Sequence, residues 1–487
     1  MNYKKLLKKI LCIISIISYV LPVFAAATTD TLESWPHFEE QLNAKSAFVM
    51  DADSSKVLYS HNPDERLYPA SLAKIMTAII VLDEVKGNYD SLVTFSYASV
   101  TKDIDKNSVT IGASAGDQLS VKDCLYSLLL PSANDAANAL AEHVAGSIND
   151  FALLMNEKAE NLGLKNTHFV NPSGLHDDNQ YTTASDMAKI LQYAMTYPVF
   201  SQISSSISYR HAPIRKYKNP ENSNNQVLNT NSIMVPGSGY YYNGITSGKT
   251  GHTSLAGYNL AASAKKNGME LICVVLGCKT DKIRYQETKA LFDFHFANYQ
   301  SLSIKDTDPR FSTSVGTMAI DDVDIIKGLD ITCEKNAHIT MPKTYSFSDV
   351  TSKLTYQVED VYNRYAIGTV TYYLDDMEIG KSSVEGRNVD NLESIFTSYL
   401  DLSTPLSNNS PEDDVNLTAN ENTTHALLYI NQNGNLVITK TLTTMVIVFV
   451  LLFIAVIIFL FMYTNVLSNT SFPLRKYIFR LKRNFRK

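Results

Sequence analysis

Residues 69–77 read Pro69-Ala70-Ser71-Leu72-Ala73-Lys74-Ile75-Met76-Thr77, a serine three positions ahead of a lysine at the start of an apolar-periodic run. Leu72, Ile75, Met76 and Ile79 recur at helical spacing, so a helix is predicted here with Ser71 and Lys74 on one face about a turn apart. A hydroxyl and an amine so placed can serve as nucleophile and base. The positive field of a helix N-terminus favours the alkoxide and a developing oxyanion. The same tetrapeptide also suits an N-cap serine followed by a solvated lysine. Ser263-Ala264-Lys265-Lys266 repeats the spacing with no chemistry attached to it. The surrounding sequence has to decide between the two readings.

Before this stretch, Ala47-Phe48-Val49-Met50-Asp51 and Lys56-Val57-Leu58-Tyr59 flank Asp53-Ser54-Ser55 and read as a β-hairpin. After it, residues 121–130 form a second apolar helix stopped by Pro131. Ser132-Ala133-Asn134 stands at the break before a helix beginning near Asp135, where a loop can aim side chains into a cleft. Helical patterns continue over 148–164 and 185–197, and residues 199–243 are polar and irregular. Two strands over 256–263 and 270–276 flank Lys266-Asn267-Gly268, a strong hairpin signal, and a helix over 281–299 closes the unit. Strands at both ends with helices between them predict an α/β domain whose sheet is assembled from both ends of the segment.

Residues 311–397 change to short alternating strands, including Gly368-Thr369-Val370-Thr371-Tyr372-Tyr373-Leu374 and Met377-Glu378-Ile379 around Asp375-Asp376, which predicts a small β-sandwich. Its composition is compatible with positioning the rest of the protein or with contacting partners. Residues 403–424 are polar, acidic and rich in Pro and Asn, the composition of a flexible linker.

Both termini speak of export. Lys4, Lys5, Lys8 and Lys9, an apolar run from 10 to 24, and Ala25-Ala26-Ala27 form the three regions of a secretory signal, an uncleaved anchor being the other reading. Residues 445–463 read MVIVFVLLFIAVIIFLFMY, nineteen residues without a charge and long enough to span a bilayer. Beyond them Arg475, Lys476, Arg480, Lys482, Arg483, Arg486 and Lys487 stand with no acid, which puts the tail in the cytoplasm and the preceding chain outside. Taking the four signal lysines and these seven cations from the net charge of −6 leaves −17 for residues 28–443, which excludes nucleic acid as a partner.

Cys124, Cys273, Cys278 and Cys333 are too few and too scattered for a disulfide scaffold, so free thiols are expected. Cys273 and Cys278 share one strand-like run, and their odd offset directs them to opposite faces. No Cys/His cluster has zinc-like spacing, so neither a metal nor another cofactor is expected.

The motif that changes the reading is Ser247-Gly248-Lys249-Thr250-Gly251-His252-Thr253-Ser254, just before the second hairpin and containing the chain's single Lys-Thr-Gly. Glycine lets a substrate backbone approach an edge strand, and Lys249 supplies a positive charge for an anionic substrate end. Ser-x-Asn is weak by itself, since Ser147-x-Asn149, Ser223-x-Asn225 and Ser407-x-Asn409 also occur. Order is stronger: Ser-x-x-Lys opening a helix, Ser-x-Asn at a helix break and Lys-Thr-Gly entering a strand is the set of penicillin-binding proteins and class A β-lactamases, with Ala133 where that set has Asp.

With these residues in place, the chain resembles the low-molecular-weight penicillin-binding proteins that act as serine-type D-alanyl-D-alanine carboxypeptidases, peptidase family S11. YPASLAKIMTA, Asn134-Asp135-Ala136-Ala137, residues 155–175 (MNEKAENLGLKNTHFVNPSGL), residues 249–260 and the strand pair over 368–379 carry the resemblance, which covers about residues 40–400. It implies a penicillin-binding/β-lactamase-like fold, an antiparallel sheet with an inserted helical subdomain, and this organisation: signal peptide 1–27, catalytic domain 28–300, β-sandwich 311–400, linker 401–443, transmembrane helix 444–464, basic tail 465–487. The implied substrate is a peptidoglycan stem peptide ending in D-Ala-D-Ala, with β-lactams as covalent inhibitors. The implied location is the cell membrane, single-pass, with the catalytic domain extracellular.

By the same resemblance Ser71 is acylated, Lys74 takes its proton and Ser132 relays protons with Lys249. Asn134 hydrogen-bonds the substrate amide; Lys249, Thr250 and Thr253 hold the terminal carboxylate beside Gly251. Backbone N–H groups of Ser71 and His252 form an oxyanion hole. Arg284 assists carboxylate binding, although it also reads as an ordinary helix-start arginine. Which group is the base is not settled by sequence, because a lysine base needs a depressed pKa. Two departures stand out: Asn243-Gly244-Ile245 replaces the family's frequent Asp-Gly-Ile, and a true span replaces its frequent amphipathic anchor. A β-lactamase would need a deacylating glutamate, usually in Glu-x-x-Leu-Asn between the second and third motifs. Glu39 to Asn43 is the sole match and precedes the nucleophile. A catalytically silent cell-wall scaffold is the other alternative, opposed by intact Ser71, Lys74 and Lys249.

Overall fold

The computed structural model describes residues 35–106, 108–215, 225–312, 317–320, 323–327, 331–356, 366–386, 428–430 and 436–438. The predicted signal peptide, membrane span and basic tail lie outside these residues. Among the described residues no helix is long and apolar enough to cross a membrane.

Strands β1 (Ser46–Asp51) and β2 (Val57–His61) form the first hairpin, and the nucleophile stretch becomes a 3-10 turn (Ala70–Leu72) running into helix α1 (Ala73–Val85). Helix α2 (Asn134–Ala145) follows the Ser-x-Asn break. Strands β3 (Ile245–Thr253), β4 (Gly257–Lys266) and β5 (Met269–Cys278) and helix α3 (Asp281–Asn298) end the unit. The sheet has the order β2-β1-β5-β4-β3, all antiparallel, so the N-terminal hairpin lies against the last strand and the Lys-Thr-Gly strand is an edge. An antiparallel sheet with helices inserted between its first and last strands is the architecture the sequence predicts.

β5 reads as an unbroken apolar run because both faces of the sheet are covered. Ile272, Val274 and Leu276 pack with Phe48, Met50 and the α1 residues Ile75, Met76 and Ile79 in one core. Leu271, Cys273 and Val275 pack with Val49, Tyr285, Leu291 and Phe292 in a second. Cys273 and Cys278, predicted to face opposite ways, both join this second core. Gly277 takes φ 71°, which breaks the strand alternation and returns Cys278 to the side of Cys273. The cysteines at 124, 273, 278 and 333 are buried free thiols.

Residues 199–243, predicted to be irregular, contain a helix (Pro198–Ser204) and a strand pair (Ser208–Arg210 with Gln226–Leu228). Elements this short leave no periodicity to read. Directly after α3, Tyr299–Ser303 pairs with His338–Pro342, so the chain enters its β-rich region without a spacer. That region has a four-stranded antiparallel sheet of Ile331–Cys333, Met377–Gly386, Ala366–Leu374 and Thr351–Tyr356, in that order. Val370, Tyr372 and Ile379 extend the second core. The buried Asp308 carboxylate accepts from Tyr372 Oη at 2.6 Å and pairs with Arg310.

The described residues up to Gly386 belong to one compact unit, and those after residue 398 to another. In the second unit, inside the segment read as a linker, Leu428–Ile430 pairs antiparallel with Leu436–Ile438.

Candidate active site

The turn carrying Ser71 is clasped from three sides. Asn259 on β4 donates through Nδ2 to the carbonyls of Tyr68 at 2.9 Å and Pro69 at 3.1 Å. Gly251 on β3 lies so close that a Cβ there would stand 2.7 Å from Pro69 O and 3.2 Å from Ser71 N. Gly174, at φ 83°, is closer still: an added Cβ would stand 1.9 Å from Ala70 O. Ala70 itself takes φ 49°, a left-handed conformation rare for a residue with a Cβ. Ser71 therefore sits in a 3-10 turn just ahead of α1 rather than within its first α-turn. With three residues per turn, positions i and i+3 eclipse, which brings Lys74 directly onto Ser71.

Lys74 is wholly buried and its Nζ has three partners: Ser71 Oγ at 3.2 Å, Asn134 Oδ1 at 2.7 Å and the Ser173 carbonyl. Two of these can only accept. A neutral amine keeps its two N–H bonds on Asn134 Oδ1 and Ser173 O, so its lone pair falls on the remaining partner, the hydroxyl that has a proton to give. The electrostatics shift the balance toward that neutral form. Burial, then the nearby Lys249, push the Lys74 pKa well below the ordinary lysine value, and Asp135 opposes them. The depressed pKa that a lysine base needs is thus present at Lys74.

Ser132 lies at the helix break with φ 72°, and its Oγ is buried without a hydrogen-bond partner. The predicted relay to Lys249 is thus not closed by a direct hydrogen bond. Lys249, on β3, is 1% exposed, and its Nζ donates to Thr250 O at 2.9 Å. Burial and the Arg284 charge bring its pKa down to about 7. The His252 ring stacks on Tyr258 with centroids 4.0 Å apart, and Thr253 Oγ1 accepts from Ala256 N at 3.0 Å, which tightens the turn after β3.

Arg284, on α3, acts from behind the strand. Its Nη1 donates to Gly251 O and Asn259 O, both at 3.2 Å, and its guanidinium pairs with Asp281. Both the strand glycine and the asparagine that clasp the nucleophile turn are therefore held by this one arginine.

A cleft of about 460 Å³ opens over these groups. Ser71, Ser132, Asn134, His252 and Thr253 line it, whereas Lys74, Lys249, Thr250, Gly251 and Arg284 are not among its lining residues. Sequence reasoning missed several residues that build it: Ser173 and Gly174, organised by the Asn171 side chain, which accepts from Gly174 N at 2.8 Å; Asn259; and the segment carrying Asp105, Ser108 and Val109. That segment is fastened to the start of α2. Asn134 N donates to Val109 O at 2.7 Å, and the buried Asp135 carboxylate accepts from Ile111, Gly112 and Ala113 N–H at 3.1–3.2 Å. Pro172-Ser173-Gly174 has the composition of a turn, but nothing in it points to a lysine 99 residues before Ser173. Among the described residues no His/Cys/Asp/Glu group could hold a metal ion.

A sequence model described as D-alanyl-D-alanine carboxypeptidase, peptidase S11, matches residues 31–280. The chain is 33% identical over 304 residues to D-alanyl-D-alanine carboxypeptidase DacF of Bacillus subtilis, covering 61% of this chain and 72% of that protein. Over 359 residues it is 33% identical to D-alanyl-D-alanine carboxypeptidase DacA of Haemophilus influenzae, covering 72% and 85%. The structure is similar to penicillin-binding protein 5 from Haemophilus influenzae, with TM-score 0.59 and 30% identity, over 72% of this chain and 99% of that one.

Proposed function

This chain belongs to the D-alanyl-D-alanine carboxypeptidases of peptidase family S11, and on that premise we propose that Ser71 carries a two-step acyl transfer on peptidoglycan stem peptides ending in D-Ala-D-Ala. The protein is a serine-type D-Ala-D-Ala carboxypeptidase and a penicillin-binding protein. The observation that carries the assignment to this site is the Lys74 amine, which faces two obligate acceptors and one hydroxyl.

Lys74 takes the Ser71 proton as Ser71 Oγ attacks the carbonyl between the two terminal D-alanines. The oxyanion is held by the N–H groups of Ser71 and His252, each worth about 3–4 kcal/mol in such a site. The ammonium of Lys249 holds the terminal carboxylate with Thr250 and Thr253, and Asn134 donates to the substrate amide. Ser132, whose hydroxyl is uncommitted in the free enzyme, passes a proton to the departing amine of D-alanine. Water then hydrolyses the ester. Arg284 serves the carboxylate site through Gly251 and through the charge it sets beside Lys249, not by direct contact. β-Lactams acylate the same serine because their strained amide presents the same carbonyl.

A β-lactamase is not favoured. Its Glu39-to-Asn43 match packs against α3, where Glu287 accepts from Ala44 N at 3.0 Å and from Asn43, with no member lining the cleft. A silent scaffold is not favoured either, since the nucleophile and base are in contact.

The wider organisation is part of the same proposal: an exported catalytic domain, a β-sandwich over 311–400, a linker over 401–443, and a single span over 444–464 with its basic tail in the cytoplasm. The uncharged apolar run and the acid-free basic tail support it. Incubation of the protein with purified wall peptides, followed by mass spectrometry, tests the activity: pentapeptides become tetrapeptides with free D-alanine, and no conversion overturns the reading.

A further inference from the structure

Lys74 presents its lone pair to Ser71 only while Asn134 turns its oxygen, and not its NH2, toward the amine. A reversed Asn134 amide would donate into that lone pair and compete with Ser71 for it. What sets the direction of the amide is visible on its far side. Asn134 Nδ2 donates to Ser108 Oγ at 3.2 Å. Ser108 Oγ in turn donates to Asp105 Oδ1 at 3.0 Å and accepts from Asp105 N at 3.1 Å. A serine hydroxyl has one proton, and a carboxylate cannot donate. The Ser108 proton is therefore committed to Asp105, leaving only acceptor capacity for Asn134. That forces the amide NH2 outward and its oxygen onto Lys74. Every donor in the series Lys74, Asn134, Ser108 points toward Asp105.

We propose that Asp105 and Ser108 are positioning residues for acylation, fixing the orientation of the Asn134 amide so that the Lys74 amine is available to Ser71. The inference rests on the catalytic reading of Ser71 and Lys74. The segment is held in place to do this by the bonds from Ile111, Gly112 and Ala113 to Asp135. Because Ser108 and Asn134 both line the cleft, an entering substrate carbonyl can take over the Asn134 N–H that Ser108 accepts in the free enzyme. The charged groups facing Lys74 are Lys249 from β3, Asp135 from α2 and, through the relay, Asp105.

The test compares second-order acylation by a fluorescent penicillin across pH for the full-length wild type, Ser108→Ala, Ser108→Thr, Asp105→Asn and the double variant Ser108→Ala/Asp105→Asn. Ser108→Ala and Asp105→Asn should each lower the plateau rate, on the order of tenfold for Ser108→Ala. They should also move the acid limb to lower pH, since an ammonium facing an NH2 group is disfavoured. Ser108→Thr, which keeps the hydroxyl, should restore both. The double variant should be little worse than the worse single one, as expected of one relay. Wild-type rates in Ser108→Ala and Asp105→Asn overturn the proposal. So does a lowered plateau with an unmoved acid limb and no rescue by threonine, the result of a merely structural role. A wild-type protein that takes no label at all would instead refute the catalytic reading beneath it.

Discussion

Ser-x-x-Lys occurs at Ser71, at Ser99 and at Ser263, and the first and last of these copies end in different chemistry. Ser71 and Lys74 straddle a 3-10 turn and the start of α1, and their polar atoms meet at 3.2 Å. Ser263 and Lys266 lie on β4, where an odd offset sends side chains to opposite faces. Ser263 is buried between Thr246 and Ser247, with both hydroxyl oxygens at 2.7 Å. Lys266 reaches the other way, donating to Tyr242 Oη at 2.6 Å and sitting 3.9 Å from the ring centroid. Identical spacing thus yields a serine and a lysine in contact in one place and two unrelated packing roles in the other. The backbone conformation, and the partners that the fold brings up to it, make the difference.

The largest effect should come from deleting the hydroxyl in each copy. Ser71→Ala should lose penicillin labelling and D-alanine release by at least about a thousandfold. Ser263→Ala should label normally, and labelling of Ser71→Ala at the wild-type rate would end the distinction. Next, Lys74→Arg preserves charge but not basicity and should slow acylation by roughly 10²–10⁴-fold, whereas Lys266→Arg should not alter it. Stopped-flow labelling of the two proteins side by side measures the contrast.

Third, the clasp on the catalytic copy can be sprung from outside. Gly174→Ala places a methyl group on the Ala70 carbonyl at a position with φ 83°. It should cost about 2 kcal/mol or more in urea unfolding and slow labelling as the turn shifts. Full stability with full labelling would show that the contact relaxes freely.

Fourth is a pH dependence. Lys249 titrates at about 7 when folded, against an ordinary 10.5. Between those values the unfolded chain binds more protons than the native state, so stability rises as pH climbs through the window. Lys249→Met should flatten that rise in denaturant midpoint. In the wild type, loss of the ammonium should also give kcat/KM an alkaline limb at about 7 in the free enzyme. The smallest effect is that of Ser263→Ala on unfolding, about 1 kcal/mol for its lost hydrogen bonds.

Much of the fold was legible because its signals are local. The hairpin at Asp53-Ser54-Ser55, the helix stop at Pro131 and the Lys266-Asn267-Gly268 turn each follow from a few neighbouring residues, and the structure has an element boundary at each. The short elements between 198 and 228 escaped because three-residue strands carry no period. Cys278 was misplaced because a single left-handed glycine, Gly277, resets the alternation on which the argument relied. In the site, residues within motifs were found and residues outside them were not. Ser173, Asn259 and Asp105 act through a carbonyl, an amide and a carboxylate that are unremarked in sequence and meaningful only against a distant partner.

By itself, the sequence carried the family resemblance, with the antiparallel sheet that it implies, and determined the order of the three motifs, the Ser-x-x-Lys copy that this order singles out, and a sheet drawn from both ends of the domain. These rest on spacing, periodicity and turn chemistry, which act over a few residues. Tertiary structure alone decided what surrounds that Ser-x-x-Lys and which way its lysine amine points. A lysine becomes a base only when burial and a second cation take away its charge, and its lone pair has a direction only when its other partners cannot donate. Asn134, Ser173 and Lys249 reach Lys74 from separate segments of the chain, so no local pattern could have carried that information.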